Sequence, residues 1–298
     1  MTNQNDAIVL DALQAAVDFG VEFAEVRLGH HRRQMLAARD SVLTTSLDET
    51  TEGIAIRVFH KGNWGFAACP LRTRPDFRAL ARQAVQVAEA SSHVAANALI
   101  LTPIDAHVAQ WHSPMVIDPF TVPLTEKCDL LFTINRILAD HPAIRETVSH
   151  MQFTRMHKLY VNSLGSHIDQ TILRSDADYS ATAVGNGRFE RRSYQSIQRA
   201  SGYESIDANA LIQAAPRVAR EAADQLAAPA WDADTADLIL MPNHTRLVIH
   251  ETIGHATELD RVLGWEADYA GTSFATPEKC GTYSYGSPLF SVTADRTL

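Results

Sequence analysis

The chain has 298 residues, of which 46% are hydrophobic and 20% charged, and its formal net charge is −9 at pH 7. This length predicts roughly two domains, and the composition is typical of a soluble globular protein. The acidic balance argues against a general affinity for nucleic acid, because phosphate backbones require clustered Lys and Arg. The basic run His30-His31-Arg32-Arg33 is short and is predicted to be a solvated turn.

Three cysteines give no disulfide framework and are typical of a reducing compartment. The first residues lack the basic and apolar segments of a signal peptide, and no apolar run approaches 18 residues. The sequence therefore predicts a cytoplasmic protein that contacts neither membrane nor nucleic acid.

The first part of the chain alternates between helical and strand patterns. An amphipathic helix is predicted from Asp6 to Phe19, where Gly20 ends it, and a second helix from about Pro75 to Ser92. Between them, five strands are predicted: Phe23 to Leu28, Gln34 to Arg39, Ser41 to Leu47, Gly53 to Phe59 and Asn63 to Ala68.

Prolines interrupt the residues that follow, so 97–123 is predicted to be a connector and a sub-boundary. Two more helices are predicted, at Thr125 to Asp140 and at Ile206 to Leu226. The strands predicted between these helices are Ile144 to Thr154, His157 to Asn162, His167 to Ala177, Tyr179 to Val184 and Arg191 to Gly202.

Several strands followed by a long helix thus occur twice, which is compatible with a duplication or simply with two layers. The predicted class is α+β, with two β-rich layers and long flanking helices in an N-terminal region of residues 1–228. The composition changes near Pro229, and residues 229–298 are predicted to be the incomplete beginning of a catalytic domain. Its first element is a predicted strand from Asp237 to Met241.

The most informative motif follows this strand, where His250, Glu251 and His255 form the pattern H-E-x-x-x-H. Imidazole is the usual protein ligand of zinc, and a Glu beside a zinc-bound water can remove its proton. On a straight α-helix, residues five apart are separated by roughly 140°. A shared ion therefore requires the helix to bend, bulge or end near Gly254, which has the greatest backbone freedom.

The spacing alone is also compatible with two histidines that bind no metal. Glu258 strengthens the metal interpretation, because Glu251, His255 and Glu258 share a helix face. A carboxylate at position 258 could orient the second imidazole.

The run from His250 to Asp260, followed by Ala270-Gly271-Thr272, resembles the signature of the TldD/PmbA family. The metal motif resembles the TldD-like zinc metallopeptidase branch, since the PmbA-like branch lacks it. The resemblance implies that His250 and His255 bind zinc and that Glu251 is the catalytic acid and base. It also implies hydrolysis of unfolded or short peptides by a homodimer or by a heterodimer with a PmbA-like subunit.

Family members are considerably longer, and their third zinc ligand is a Cys well beyond the motif. Cys280 lies too early for this role and is predicted to be a neutral loop residue. We therefore expect the chain to be truncated, with zinc absent or partly bound and little activity of its own. The rival hypothesis is a non-catalytic interaction protein, similar to a gyrase modulator, in which these histidines bind no metal.

Overall fold

The computed structural model describes residues 2–71, 74–93, 100–185, 187–197, 199–230, 232 and 235–294. The chain forms two compact units, Met1–Ala228 and Pro229–Leu298. No described helix combines the length and the apolar character needed to cross a membrane.

Among its described residues, the first unit combines four long helices with seven strands. The helices are α1 (Thr2–Val17), α2 (Phe77–Ser92), α3 (Leu124–Ala139) and α4 (Ala208–Ala227). The strands are β1 (Phe23–Arg39), β2 (Val42–His60), β3 (Asn63–Pro70), β4 (Val108–His112), β5 (Ile144–Asn162), β6 (His167–Gly185) and β7 (Arg188–Gln195).

All seven strands belong to one sheet in the order β3-β2-β1-β5-β6-β4, and β7 also pairs with β6. Among the described strand pairs, β4 and β6 are parallel and the others are antiparallel. The predicted α+β class is confirmed. The two predicted strand series are joined side by side, because β1 pairs with β5 from Glu25 to Arg39. They therefore form one continuous sheet instead of two layers.

Several predicted strands merge into longer ones. The predicted turn at His30-His31-Arg32-Arg33 is wrong, since these residues lie in the middle of β1. His31 and Arg33 are tolerated there because they point to the sheet face that carries no described helix. His30 and Arg32 point to the other face, where each lies 2.9 Å from a carboxylate, that of Glu52 and that of Asp48. The predicted connector also contains a strand that the sequence analysis missed. This strand, β4, pairs with the first five residues of β6. Residues 97–99 of that connector lie outside the described part of the chain.

The helices pack against one face of the sheet in two separate hydrophobic clusters. The first cluster joins α1 and α2 to strand residues that include Val26, Ile56 and Leu159. The second joins α3 and α4 to Leu36 and Phe153, among others. Each cluster takes alternate residues of β1, which is why this strand supports both helix pairs.

The two halves of this unit repeat one arrangement, in which a helix is followed by two long strands, a short strand and another helix. The registers repeat as well. Val26 lies opposite Ile56. Ser149 and Tyr179 are further along the chain than Val26 and Ile56, respectively, by the same number of residues, and they also lie opposite each other. β1 and β5 are antiparallel neighbours, as a two-fold axis between them requires. These observations favour the duplication.

The second unit contains short helical segments and no strand among its described residues. They are α5 (Pro242–Ile249), a π-helical turn (His250–Gly254), a 3₁₀ turn (His255–Thr257), α6 (Leu259–Val262) and a second 3₁₀ turn (Pro277–Lys279). The strand predicted at Asp237 to Met241 is wrong: these residues have no strand partner, and Ile239 is 87% exposed. Apolar patterning alone cannot form a strand without a neighbour to accept its hydrogen bonds.

Candidate metal centre

The motif lies at the end of helix α5, whose first residue is Pro242. Proline suits this position because the first N–H groups of a helix have no acceptor within the helix. The right-handed helical path continues beyond Ile249 into the motif, but its hydrogen bonding changes at His250. The first histidine therefore stands where the α-helix gives way to a wider turn.

Residues His250–Gly254 form a π-helical turn, in which the His255 N–H donates to the carbonyl of His250. This turn contains one residue more than an α-helical turn, so residues five apart lie on one face. The two imidazole rings are accordingly close, with centroids 4.4 Å apart. The prediction that the helix departs from regular geometry is confirmed.

Gly254 contributes less to this geometry than the sequence suggested. Its φ of −54° and ψ of −56° are ordinary right-handed helical values. A Cβ at this position would meet only the His250 Nδ1, at 3.7 Å, an ordinary contact distance. The extra residue in the turn, and not the freedom of glycine, brings the histidines together.

Glu251 lies beside both imidazoles. Its carboxylate oxygens are 4.0 Å from His250 Nε2 and 3.7 Å from His255 Nε2. One ligand atom from each of these three residues lies within 4.8 Å of the others. Two imidazole nitrogens and a carboxylate oxygen are donors that zinc accepts, so these residues fit the ion that the motif implies.

Glu258 holds the second imidazole from the other side. His255 Nδ1 lies 2.5 Å from Glu258 Oε1, and Arg261 Nε lies 3.1 Å from the second oxygen of the same carboxylate. The hydrogen bond from His255 lowers the pKa of the Glu258 carboxyl group. An Nδ1–H that donates to this carboxylate leaves the lone pair of Nε2 available for a metal.

Two hydroxyl groups that the sequence did not single out support the turn. Tyr285 donates to the carbonyl of Thr252 within the π-helical turn. Ser273 Oγ donates to the carbonyl of Ala256, 2.5 Å away, immediately after it. Ser273 directly follows the Ala270-Gly271-Thr272 run of the family signature, but no local pattern marks Tyr285. Its contact joins residues that are 33 positions apart.

The centre is open to solvent. The side chains of His250 and Glu251 are 59% and 57% exposed, and that of His255 is 29% exposed. Cys280 is a free, exposed thiol and does not belong to the group of three possible ligands. The described residues therefore offer two imidazoles and one carboxylate, without a thiolate beside them.

Two family models match the chain. One is described as PmbA/TldA metallopeptidase domain 1 and matches residues 24–88. The other is described as the PmbA/TldA metallopeptidase central domain and matches residues 117–228. Both matches lie in the first unit, and together they cover more than half of the chain.

Curated relatives extend the similarity into the motif region. A metalloprotease of Methanocaldococcus jannaschii is 23% identical over 254 residues, which are 85% of this chain and 55% of the relative. A metalloprotease of Synechocystis is 25% identical over 265 residues, with 86% and 55% coverage. The chain thus spans about half the length of the curated relatives it matches.

Solved structures share the fold at low sequence identity. A protein from Thermotoga maritima described as a candidate modulator of a DNA gyrase has a TM-score of 0.58 and 14% identity, covering 73% of this chain and 47% of its own. A protein of the same description from Bacteroides thetaiotaomicron has a TM-score of 0.54 and 11% identity, with 75% and 49% coverage. TldE from Thermococcus kodakarensis has a TM-score of 0.50 and 11% identity, with 72% and 47% coverage.

Proposed function

Since the chain belongs to the TldD/PmbA family, we propose that it is part of a zinc-dependent peptidase of the TldD-like branch that acts on unfolded or short peptides. One observation carries this proposal. The π-helical turn places the His250 and His255 rings 4.4 Å apart, with Glu251 beside both.

The donor set supports the choice of metal. His250 and His255 would hold the ion through imidazole nitrogens, and Glu258 keeps the ring of His255 in one orientation. Two imidazoles do not complete the three protein ligands of a catalytic zinc site. The resemblance implies that the third ligand is a Cys beyond the motif, and Cys280 lies outside the group formed by the histidines and Glu251.

Glu251 is the residue proposed to move protons. When bound, zinc lowers the pKa of a water molecule and polarises the peptide carbonyl. Glu251 would take a proton from the attacking water and pass it to the leaving amine, and its position beside both imidazoles supports this role. Because Glu251 is 57% exposed, water and an extended peptide both have access to its carboxylate.

We further propose that the protein works in the cytoplasm, as a homodimer or with a PmbA-like subunit. The proposed compartment follows from the three free cysteines, none of which forms a disulfide. The dimer is proposed from the family resemblance.

Metal analysis and peptide cleavage test this function in the full-length protein of the native reading frame. We expect one zinc ion per chain and cleavage of unfolded polypeptide, with both lost in His255→Ala. His244→Ala is the matched control, because this histidine lies on α5 ahead of the motif. A protein with no zinc and no cleavage would contradict the proposal and leave the interaction hypothesis.

The same measurements on the 298-residue chain test whether its residues supply a complete set of zinc ligands. We expect zinc to bind this chain more weakly than the full-length protein, because a thiolate ligand is absent from the described cluster. Equal zinc affinity and equal cleavage would show that these residues already supply all the ligands.

A further inference from the structure

The face of the sheet opposite the helices contains a trough over the N-terminal half of β1, between β2 and the C-terminal half of β5. Its volume is about 710 Å³. The floor is formed by small residues of the central strands, and cationic, aromatic and apolar side chains form the walls. The lining residues on which the argument depends are Arg27, Gly29, Gly53, Ala55, Lys158 and Tyr160.

Two glycines create the space. Gly29 of β1 lies directly opposite Gly53 of β2. A Cβ at position 29 would meet no atom within 4 Å, and the backbone there is not in the left-handed region. Neither backbone conformation nor neighbouring protein atoms therefore require glycine at position 29. Glycine inside a strand weakens it and often marks the close approach of a ligand.

The second half of the duplicated fold provides an internal comparison. The register equivalents of Gly29 and Gly53 are Gln152 and Asp176, which also lie opposite each other. Lys158 is the β5 neighbour of Gly29, and Met35 is the β1 neighbour of Gln152. Met35 is therefore the equivalent of Lys158. The fold accommodates large side chains at these positions, so the facing glycines are specific to the trough and are not required by the sheet.

The trough is cationic although the chain is acidic. No Asp or Glu lines it, while the net charge of the whole chain is −9. Lys158 is exposed and has no ion-pair partner among the described residues. Arg27 and Arg57 share one carboxylate, Glu25, at 3.1 and 2.8 Å. The two guanidinium groups and Lys158 carry three positive charges against the one negative charge of Glu25, which leaves a net charge of +2.

We propose that this trough binds an acidic segment of polypeptide in an extended conformation. Alternate side chains of an extended peptide are about 6.6 Å apart, the spacing of successive open-face positions along β1. Carboxylates on such a segment reach Arg27 and Lys158, while its backbone lies over the glycines. Met156 and Ile168 provide apolar contacts at the walls. All residues that line the trough belong to the first unit, and the proposal does not depend on the proposed peptidase activity.

Fluorescence anisotropy tests the site with the 298-residue chain and no added zinc. The probe is a capped, labelled peptide of alternating Glu and Leu, and the matched peptide has Gln in place of Glu. We expect the Glu peptide to bind, with affinity falling as salt is raised, and the Gln peptide to bind more weakly. Gly29→Val should weaken binding by about tenfold because its side chain fills the trough. Lys158→Gln should weaken it by about threefold.

Two control variants lie on the same sheet face, at residues that do not line the trough. Gln152→Val makes the equivalent change to Gly29→Val, and Arg174→Gln removes an exposed cation outside the trough. Both should bind the Glu peptide as the unmodified chain does. Circular dichroism should show Gly29→Val folded, since valine favours strands; Lys158→Gln tests the site independently. Equal binding of the two peptides, no binding of either, or full binding by Gly29→Val and Lys158→Gln would overturn the proposal.

Discussion

The two units of this chain differ in how they are held together. In the first, two hydrophobic clusters fix four helices on one sheet, and residues such as Leu131 are almost fully buried. In the second, no described residue is buried, and apolar side chains such as Leu247 are half exposed. Short hydrogen bonds and ion pairs around the motif order the candidate metal centre.

The residues that stabilise the chain and the candidate catalytic residues therefore lie in different units. Burial of apolar surface is the main favourable contribution to folding, so the first unit should determine the stability of the chain. The second unit carries the candidate catalytic residues on a surface that stays accessible. Substitutions in the two units should therefore have different consequences.

The largest expected effect on stability comes from the second hydrophobic cluster, which contains α3. Leu131→Ala should lower the free energy of unfolding by about 2–5 kcal/mol, because it leaves a cavity in a closed core. Leu247→Ala, also in a helix, should change it by less than about 0.5 kcal/mol. Urea unfolding followed by circular dichroism measures the free energy of unfolding of both variants. Equal losses would contradict the proposed difference between the two units.

A smaller effect is expected on metal affinity. Glu258→Gln weakens the charge-assisted hydrogen bond to His255 Nδ1 and should reduce zinc affinity by about 10- to 100-fold. Glu278→Gln is the matched control, because this exposed carboxylate contacts neither imidazole. Competition with a chromophoric chelator gives the affinities. If both variants bind zinc equally well, Glu258 does not orient the ring.

Corresponding helix caps test the repeated halves of the first unit. Asp76 accepts a hydrogen bond from the Ala79 N–H at the start of α2, and Asp207 accepts one from Ala210 at the start of α4. Each Asp→Ala substitution should cost about 1 kcal/mol. Because the two helices lie in different clusters, the double variant should show the sum of the two losses. A clear departure from additivity in chemical unfolding would show that the halves are coupled.

The smallest expected effect is that of a chelator on the unfolding of the first unit. The one group of possible metal ligands found among the described residues lies in the second unit. EDTA should therefore leave the main thermal transition unchanged while it abolishes cleavage by the full-length protein. A transition that moves to lower temperature with EDTA would mean that metal binding also stabilises the core.

Local patterns predicted the parts of the fold that depend on nearby residues. The helix predicted from Thr125 to Asp140 is observed at Leu124–Ala139, because its apolar residues recur at helical spacing. The irregular turn at His250 followed from the extra residue between the histidines. The proximity of Glu258 to His255 followed from their separation of three positions.

Features that depend on distant residues were not predictable in this way. The central part of β1 contains a glycine and four basic residues, and its strand conformation is determined by pairing with β2 and β5 on both sides. The trough depends on Gly29 facing Gly53, which only the sheet register reveals. The hydrogen bond from Tyr285 to Thr252 likewise requires the folded second unit.

The most direct test of the metal centre is Glu251→Gln in the full-length protein, with zinc content and peptide turnover measured on the same samples. The substitution keeps the shape of the side chain but removes the carboxylate that lies beside both imidazoles. We expect zinc per chain to remain unchanged and turnover to fall by about 100-fold or more. Unchanged turnover, or loss of zinc together with activity, would contradict the role of Glu251 as the residue that transfers protons.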